Sequence, residues 1–342
     1  MVRSMSARLD RVLIRSRLLR VIPLLIGIFI LAAMVAMYAG YKQMWLSDIW
    51  LDTKTRAIFL HLRVPRVLMA AMIGASLAIV GAALQSLFRN ALADPFTLGV
   101  SGGASLGASL ALALGLGLSV AGVPAVFVLA FAGAGLAMLA VYFLARAGRV
   151  VMPGTLLLAG IVMNLCASAG VLLLQYLTDY SRALQILRWM IGNLDVVGYG
   201  ILWRAVLFLV PGWLVLFRYA RELNLIAMGE SSASTLGVDV ARVRRRVYIA
   251  TSLIIGTTAS VGGSIGFVGL IVPHIVRLIF GQDLRLLLPA SFLLGAAFLM
   301  LADAAARSLL SPSELPVGIL TALMGGPFFL WLLRRERRLA AF

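Results

Sequence analysis

The chain has 342 residues, of which 62% are apolar and 13% charged, and a formal net charge of +17. Its mean hydropathy of +1.03 excludes an ordinary water-soluble domain and marks a polytopic membrane protein. The 30 Lys and Arg against 13 Asp and Glu fit cytoplasmic loops, which collect basic residues, better than a nucleic-acid surface, so no nucleic-acid partner is expected. A single cysteine, Cys166, excludes an intrachain disulfide.

Residues 1–20 read as a basic cytoplasmic tail holding Arg3, Arg8, Arg11, Arg15, Arg17 and Arg20. The uncharged run 21–41 is too long for a signal-peptide core and reads as a retained first span. An outer loop, 42–66, follows, with Trp45 and Trp50 at the interface. Run 67–88 is the second span, and Arg89 to Pro95 is a short inside turn. Run 96–145 has 50 residues. One helix of that length would be roughly 75 Å, more than twice the hydrocarbon thickness, so the run must break. Gly115, Gly117, Gly122 and Pro124 mark the place. Ala147 to Pro153 turns inside, 154–178 is the fifth span, and Thr178 to Gly200 is an outer loop anchored by Trp189. Run 205–217 leads to the longest inside loop, 218–246.

Run 247–276 reads either as one tilted helix or as two short ones broken near Gly262-Gly263-Ser264. Charge arbitrates. Splitting it makes ten spans with both termini inside and puts 21 of the 30 Lys and Arg inside, whereas leaving it whole puts 16 there. The positive-inside rule favours the split. Runs 286–302 and 315–333 complete the set, joined by an outer loop at Ser308 to Glu314. The expected fold is all-α and polytopic, with one ten-helix transmembrane domain over 21–335 and a cytoplasmic tail at 336–342. Segments GASLAIVGAALQSLF and GTTASVGGSIGFVGL share small-residue spacing. They read as an inverted internal repeat or as ordinary helix-packing chemistry.

No Gly-Lys-Ser/Thr step exists, and the only lysines are Lys42 and Lys54, both expected outside. The chain therefore has no phosphate-cradling P-loop, and it is not expected to be an enzyme by itself. No cluster has metal-ligand spacing. His61 and His274 read as packing or hydrogen-bonding residues rather than as haem ligands. Asp303 is the clear acidic candidate within the spans, and an ion-coupled secondary transporter would have to use it.

Within 218–246, Glu230, Ser231 and Ser232 suit the first turn of a short helix, and Gly237 suits the position after its end. Met228, Ala233 and Leu236 give it a small apolar face. Such a helix can lie on the bilayer or insert into a partner's groove.

Residues 63–107 read RVPRVLMAAMIGASLAIVGAALQSLFRNALADPFTLGVSGGASLG. The sequence later carries Gly229-Glu230, Ala233 and Leu236-Gly237, then GFVGLIVPHIVRLIFG around Pro273-His274, then LADAAARSLLSPSELPVGILTALMGGPFFLWLL. Four blocks in this order resemble the permease subunits of the bacterial ABC importers for iron complexes, haem and cobalamin (type II importers), over about residues 50–335. The resemblance implies a ten-span homodimeric pore in the inner membrane, with the path on the twofold axis. It implies two cytoplasmic ATP-binding subunits, which hold ATP and Mg, and a periplasmic substrate-binding protein. The chain itself is expected to bind no cofactor. The resemblance further implies that Gly229, Glu230, Ser231, Ala233, Leu236 and Gly237 dock the ATPase. Arg63, Arg66 and Arg307 would meet acidic residues of the binding protein, and Asn90 and Leu92 would help close the cytoplasmic gate. The turn before the fifth span, Met152-Pro153-Gly154-Thr155, departs from the hydroxyl-rich turn of cobalamin permeases. An iron complex, haem or a ferric siderophore, is the expected cargo, with cobalamin as the alternative. Met163, Asn164, Ser168 and Gln175 are candidates to line the path or to face neighbouring helices.

Overall fold

The structure is a computed structural model describing residues 2–39, 52–117, 119–120, 122–147, 150–310 and 313–340. Trp45 and Trp50 lie outside the described residues. Ten helices stand at the ten expected spans. They are α1 (Val2–Tyr38), α3 (Val64–Leu87), α4 (Val100–Ala113), α5 (Ala125–Ala145), α6 (Pro153–Leu177), α8 (Gly200–Arg218), α11 (Val240–Gly262), α12 (Val268–Phe280), α13 (Leu284–Leu309) and α14 (Val317–Ala340). Among the described residues, six helical stretches are long and apolar enough to cross a membrane, and α4, α12 and α14 supply shorter apolar stretches. Between the long helices lie α2 (Thr53–Ile58), α7 (Tyr180–Met190), α9 (Ala220–Met228) and α10 (Glu230–Thr235). Two two-residue antiparallel pairs, Ser119–Val120 with Val123–Pro124 and Arg146–Ala147 with Val150–Val151, close turns.

Both breaks expected from length and charge are present. The 96–145 run opens at the Gly115–Pro124 turn, and the 247–276 run ends one helix at Gly262, reverses at Gly263, and restarts at Val268. Two features add detail to the expected map. The basic tail is helical and continuous with the first span from Val2. The loop 178–200 contains α7, whose N-cap Asp179 accepts from the Arg182 N–H at 3.0 Å. Its apolar residues fall on one face, with Ile186 buried, while Arg182 reaches back to the Ala113 carbonyl at 2.7 Å. A lone amphipathic helix at an interface has low mean hydropathy, so a search for uncharged runs passes over it.

Contacts between loops group the helix ends. Asp195, Asp303, Arg307 and Glu314 gather around Arg66, and Arg307 reaches the carbonyls of Ala36 and Ala39. These groups all come from segments expected outside or from the outer ends of spans. Asn224 meets Asp283, and Arg146 shares a cavity with Arg242, Arg244 and Arg245. All of those come from segments expected inside. These contacts sort the helix ends they touch into the two sets that the expected alternation requires.

The core is built around α3, which is buried over most of its length. Its small residues let other helices approach to backbone distance. A Cβ placed on Gly81 would sit 1.8 Å from the Gly269 carbonyl oxygen on α12, and one on Gly74 would sit 2.2 Å from that of Gly295 on α13. The small-residue spacing noted in the two sequence segments is used here for close packing. Trp213 on α8 adds a cross-tie. Its indole N–H donates to Ser76 Oγ at 2.9 Å, and its ring meets Phe292 edge-on at 4.9 Å.

Gly81→Ala should cost about 1–3 kcal/mol, because backbone rather than a flexible side chain opposes the new methyl. Gly135→Ala, with nothing within 4 Å of its Cβ position, should be neutral or stabilising. Thermal unfolding of detergent-solubilised variants checks the contrast.

Candidate functional site

Three places carry the residues singled out by the sequence: the loop around α9 and α10, the turn after α3, and the outer arginine cluster.

The α9–α10 hairpin is clamped to the helix bundle. Leu223, Ile226 and Ala233 are fully buried. Asn224 donates to Asp283 Oδ1 at 2.7 Å and accepts from the Leu284 N–H at 2.9 Å. Burial works against ionisation of Asp283, but hydrogen bonds from Arg285 and Asn224 hold its carboxyl below the usual range. Helix α10 ends as expected at Gly237, with φ of +84°. The Val238 N–H reaches the Ala233 carbonyl at 3.0 Å and the Gly237 N–H reaches that of Ser234 at 3.0 Å, which together form a Schellman cap. Glu230 pairs with the buried guanidinium of Arg244 while keeping 46% of its side chain exposed. Met228, Ala233 and Leu236 do not form one face. Ala233 points into the core, whereas Met228 and Leu236 stand 75% and 66% exposed on either side of the short helix. Exposed apolar side chains flanking an exposed carboxylate suit a protein partner better than bulk water.

After α3 the chain reverses without glycine. Arg89 adopts φ +51°, the Asn90 N–H bonds the Gln85 carbonyl at 3.1 Å, and Asn90 Oδ1 accepts from the Leu92 N–H at 2.9 Å. An αL residue with a Cβ costs on the order of 1–2 kcal/mol, and the turn's own hydrogen bonds offset it. Leu92 is left 48% exposed. Asp94 sits where this turn enters the short 3₁₀ turn Pro95–Leu98, and its Oδ1 is buried without a hydrogen-bond partner among the described residues. Burial pushes its carboxyl up to about 7, against a hydrogen bond from the Phe96 N–H.

The outer cluster centres on Asp303, whose side chain is 1% exposed. Arg66 Nε donates to its Oδ1 at 3.1 Å and Arg307 Nε to its Oδ2 at 2.9 Å. The other face of Arg66 holds Asp195 at 2.7 Å and Glu314 at 2.8 Å, carboxylates that are 60% and 48% exposed. Arg307 spends its remaining donors on the Ala36 and Ala39 carbonyls, both at 2.9 Å, and Arg63 donates to those of Met37 and Tyr38 at 3.1 and 3.3 Å. The arginines were expected to face a binding protein. Arg307 is only 5% exposed, too deeply buried to touch one, so that expectation is corrected. Arg63 and Arg66 remain partly accessible. Sequence reading took Asp303 for an ion-coupling candidate. Arg307 stands one turn further along the same helix, whereas Arg66 lies 237 residues away in the chain and only the fold brings it to Asp303.

The four α6 candidates part company. Asn164 is structural: its Oδ1 accepts from the Gly102 N–H at 3.0 Å and its Nδ2 donates to the Phe96 carbonyl at 2.5 Å. Ser168 is exposed, while Met163 and Gln175 are half-buried. Leu158, Ile161, Leu165, Leu172 and Tyr176 extend an exposed apolar strip along the same helix. His274 lies edge-on to Phe328, with ring centroids 6.2 Å apart, and the His61 carbonyl accepts from the Gly198 N–H at 2.8 Å. Among the described residues no group of three or more His, Cys, Asp or Glu could hold a metal ion.

Two outcomes follow from these geometries. Asp303→Asn leaves two guanidinium groups facing a neutral buried amide and should cost about 3–5 kcal/mol. Asp303→Leu combined with Arg307→Met should recover part of that loss, read as the melting temperature in detergent. Asp94 holds its proton in the folded state up to about 7 but releases it near 3.8 when unfolded. The folded state therefore loses stability as pH rises through that window. Asp94→Asn should match the wild type near the low end and melt progressively higher than it up to pH 7, after which the gap should stay constant.

Comparison with known proteins places the chain. The model of the FecCD transport family matches residues 24–335. The hemin transport system permease protein HmuU of Yersinia pestis is 38% identical over 313 residues, 90% of this chain and 91% of that protein. The vitamin B12 import system permease protein BtuC of Vibrio cholerae is 39% identical over 316 residues, 92% of this chain and 93% of that one. A solved structure described as an inward-facing metal-chelate type ABC transporter superposes with a TM-score of 0.81 at 30% identity, over 92% of this chain and 98% of that one. An ion-coupled secondary transporter is thereby set aside, and the chain belongs to the FecCD family of ABC importer permeases.

Proposed function

We propose that this permease moves an iron complex, haem or a ferric siderophore, from periplasm to cytoplasm as a homodimer in the bacterial inner membrane. Two cytoplasmic subunits bind ATP and Mg and supply the work, and a periplasmic binding protein delivers the cargo. The chain binds no cofactor of its own. Ten spans leave both termini in the cytoplasm, in keeping with the positive-inside rule. Cobalamin is the second reading, since relatives of near-equal identity are named for hemin and for vitamin B12.

The observation that carries the reading is the α9–α10 hairpin, a capped short helix that presents Glu230, Met228 and Leu236 outward from a clamped base. In this proposal Gly229 to Gly237 seats in a groove on the ATPase, a helix-in-groove contact. ATP binding then shifts the dimer between outward and inward states by favouring one set of partner contacts. Asn90 and Leu92 close the cytoplasmic side. Arg63 and Arg66 meet acids of the binding protein, a charge arrangement that steers encounter and fixes orientation. Arg307 acts from beneath by holding Asp303. The exposed strip of α6, with Ser168, faces the partner copy or the path.

Glu230→Arg should reduce cargo uptake in proteoliposomes at least tenfold while ATP hydrolysis by the associated subunits continues. Glu230→Gln, which keeps the shape, should have a milder effect. Uptake at the wild-type rate in Glu230→Arg would disprove the docking role. Parallel uptake of haem, a ferric siderophore and cobalamin separates the cargo readings.

A further inference from the structure

The arginine-lined cavity behind the α9–α10 hairpin has no part in the roles assigned so far. Where the inner ends of α5 and α11 meet, a cavity of about 400 Å³ is lined by Tyr142, Arg146, Asp239, Arg242, Arg244 and Arg245. This volume is within the range of small-molecule sites. Four arginines face one carboxylate there. Arg242 pairs with Asp239 at 3.2 Å, and Arg244 pairs with Glu230 of α10. The floor is rigid, because Tyr142 stacks on Tyr248 with ring centroids 5.8 Å apart and the Tyr248 hydroxyl donates to the Met138 carbonyl at 3.0 Å. The surroundings change abruptly toward the middle of the helices. Phe143 and Leu144, on the turn before Arg146, are 65% and 67% exposed, and Ile249, one turn along α11 from Arg245, is 47% exposed.

A basic cavity bordered by bare apolar surface matches an amphiphile, with an anionic head in the cavity and hydrocarbon chains along the helices. A cytosolic protein or a free anion would engage the arginines alone, whereas a lipid would also run on from the cavity along the apolar faces of Phe143, Leu144 and Ile249. We propose that this cavity binds the phosphodiester headgroup of an anionic phospholipid of the cytoplasmic leaflet. The leaflet assignment rests on the topology of the proposed function; the recognition chemistry does not. Arg146, Arg242 and Arg245 are the main donors to the phosphate oxygens, as guanidinium groups are for phosphates generally. Because Arg244 is shared with Glu230, a bound headgroup competes for the same guanidinium that holds the ATPase-facing helix. Lipid occupancy thus bears on how firmly α10 is held.

The test is native mass spectrometry of the delipidated, detergent-solubilised complex titrated with phosphatidylglycerol or cardiolipin, and separately with phosphatidylethanolamine. The wild type should retain the anionic lipids selectively. Retention should fall about tenfold in Arg242→Ala/Arg245→Ala and in Arg146→Gln, recover in Arg242→Lys/Arg245→Lys, and be unchanged in Arg334→Ala, which lies outside the cavity. Equal retention by the cavity variants and the wild type would overturn the proposal. So would equal retention of phosphatidylethanolamine, or full displacement of the lipid by inorganic phosphate, which would make a free anion the ligand. If the double variant holds lipid normally but loses its ATPase, the cavity is a protein contact and the lipid proposal fails. Absence of any ATPase from the wild-type preparation would count against the permease reading instead, and the lipid measurement would stand apart from it.

Discussion

Polar groups inside this bundle have almost no water to turn to, and the arrangement of the outer ends follows from that constraint. Every helix leaves unsatisfied carbonyls at its C-terminus. In α1 these belong to Ala36, Met37, Tyr38 and Ala39, and the donors come from Arg63 and Arg307 on other helices. Arg182 does the same for Ala113 at the end of α4. Guanidinium groups suit the task, since they bring several donors and also complement the negative end of the helix dipole. Burying them requires a counter-charge, and Asp303 supplies it between Arg66 and Arg307. A pair of this kind contributes little net stability, but removing one member leaves a charge stranded. The cluster therefore sets which helix ends meet rather than how stable they are.

The inner ends are held by a different device. There the chain builds short helices whose backbone groups are satisfied within the hairpin, by the Schellman cap on α10 and by the Asn224–Asp283 tie. That tie places the base of the hairpin on the N-terminus of α13, and α13 contacts α3 at backbone distance through Gly74 and Gly295. Under the proposed function, a load on α10 reaches α13 and then the buried central helix through hard contacts, with few flexible side chains between. The outer cluster closes the same two helices at the far end through Arg66 and Asp303. One close-packed pair, α3 and α13, thus links the α9–α10 hairpin to the outer arginine cluster.

Several roles could be assigned only once neighbours were known. Asn164 resembles a path-lining amide in the sequence, yet both ends of its side chain are consumed by Gly102 and Phe96. Ala233 was grouped with Met228 and Leu236 by helical spacing, but it turns inward because the hairpin folds back on the bundle and Ala is small enough to fit there. Asp94 reads as an ordinary turn residue until the fold places its Oδ1 out of reach of water and donors. For Asn164 the deciding partners lie on other elements, at sequence distances that no local pattern encodes, and for Ala233 and Asp94 it is burial by the fold that decides.

What the sequence determined by itself is the part of the structure set by length, hydropathy and charge. Ten helical segments and both breaks were legible because a bilayer admits few backbone solutions and sorts basic residues by side. The Gly237 cap was legible from helix-end chemistry, and the family came only through the resemblance of four sequence blocks. Only the tertiary structure decided which faces are covered. It drew Arg66, Asp195, Asp303, Arg307 and Glu314 into one cluster, set Gly81 against Gly269, and gathered four arginines at the seam of α5 and α11. The physical reason is that nearly every face of these helices is apolar. Hydrophobicity, which marks the buried side of a soluble helix, here marks only the membrane, and shape and buried charge are left to choose the neighbours.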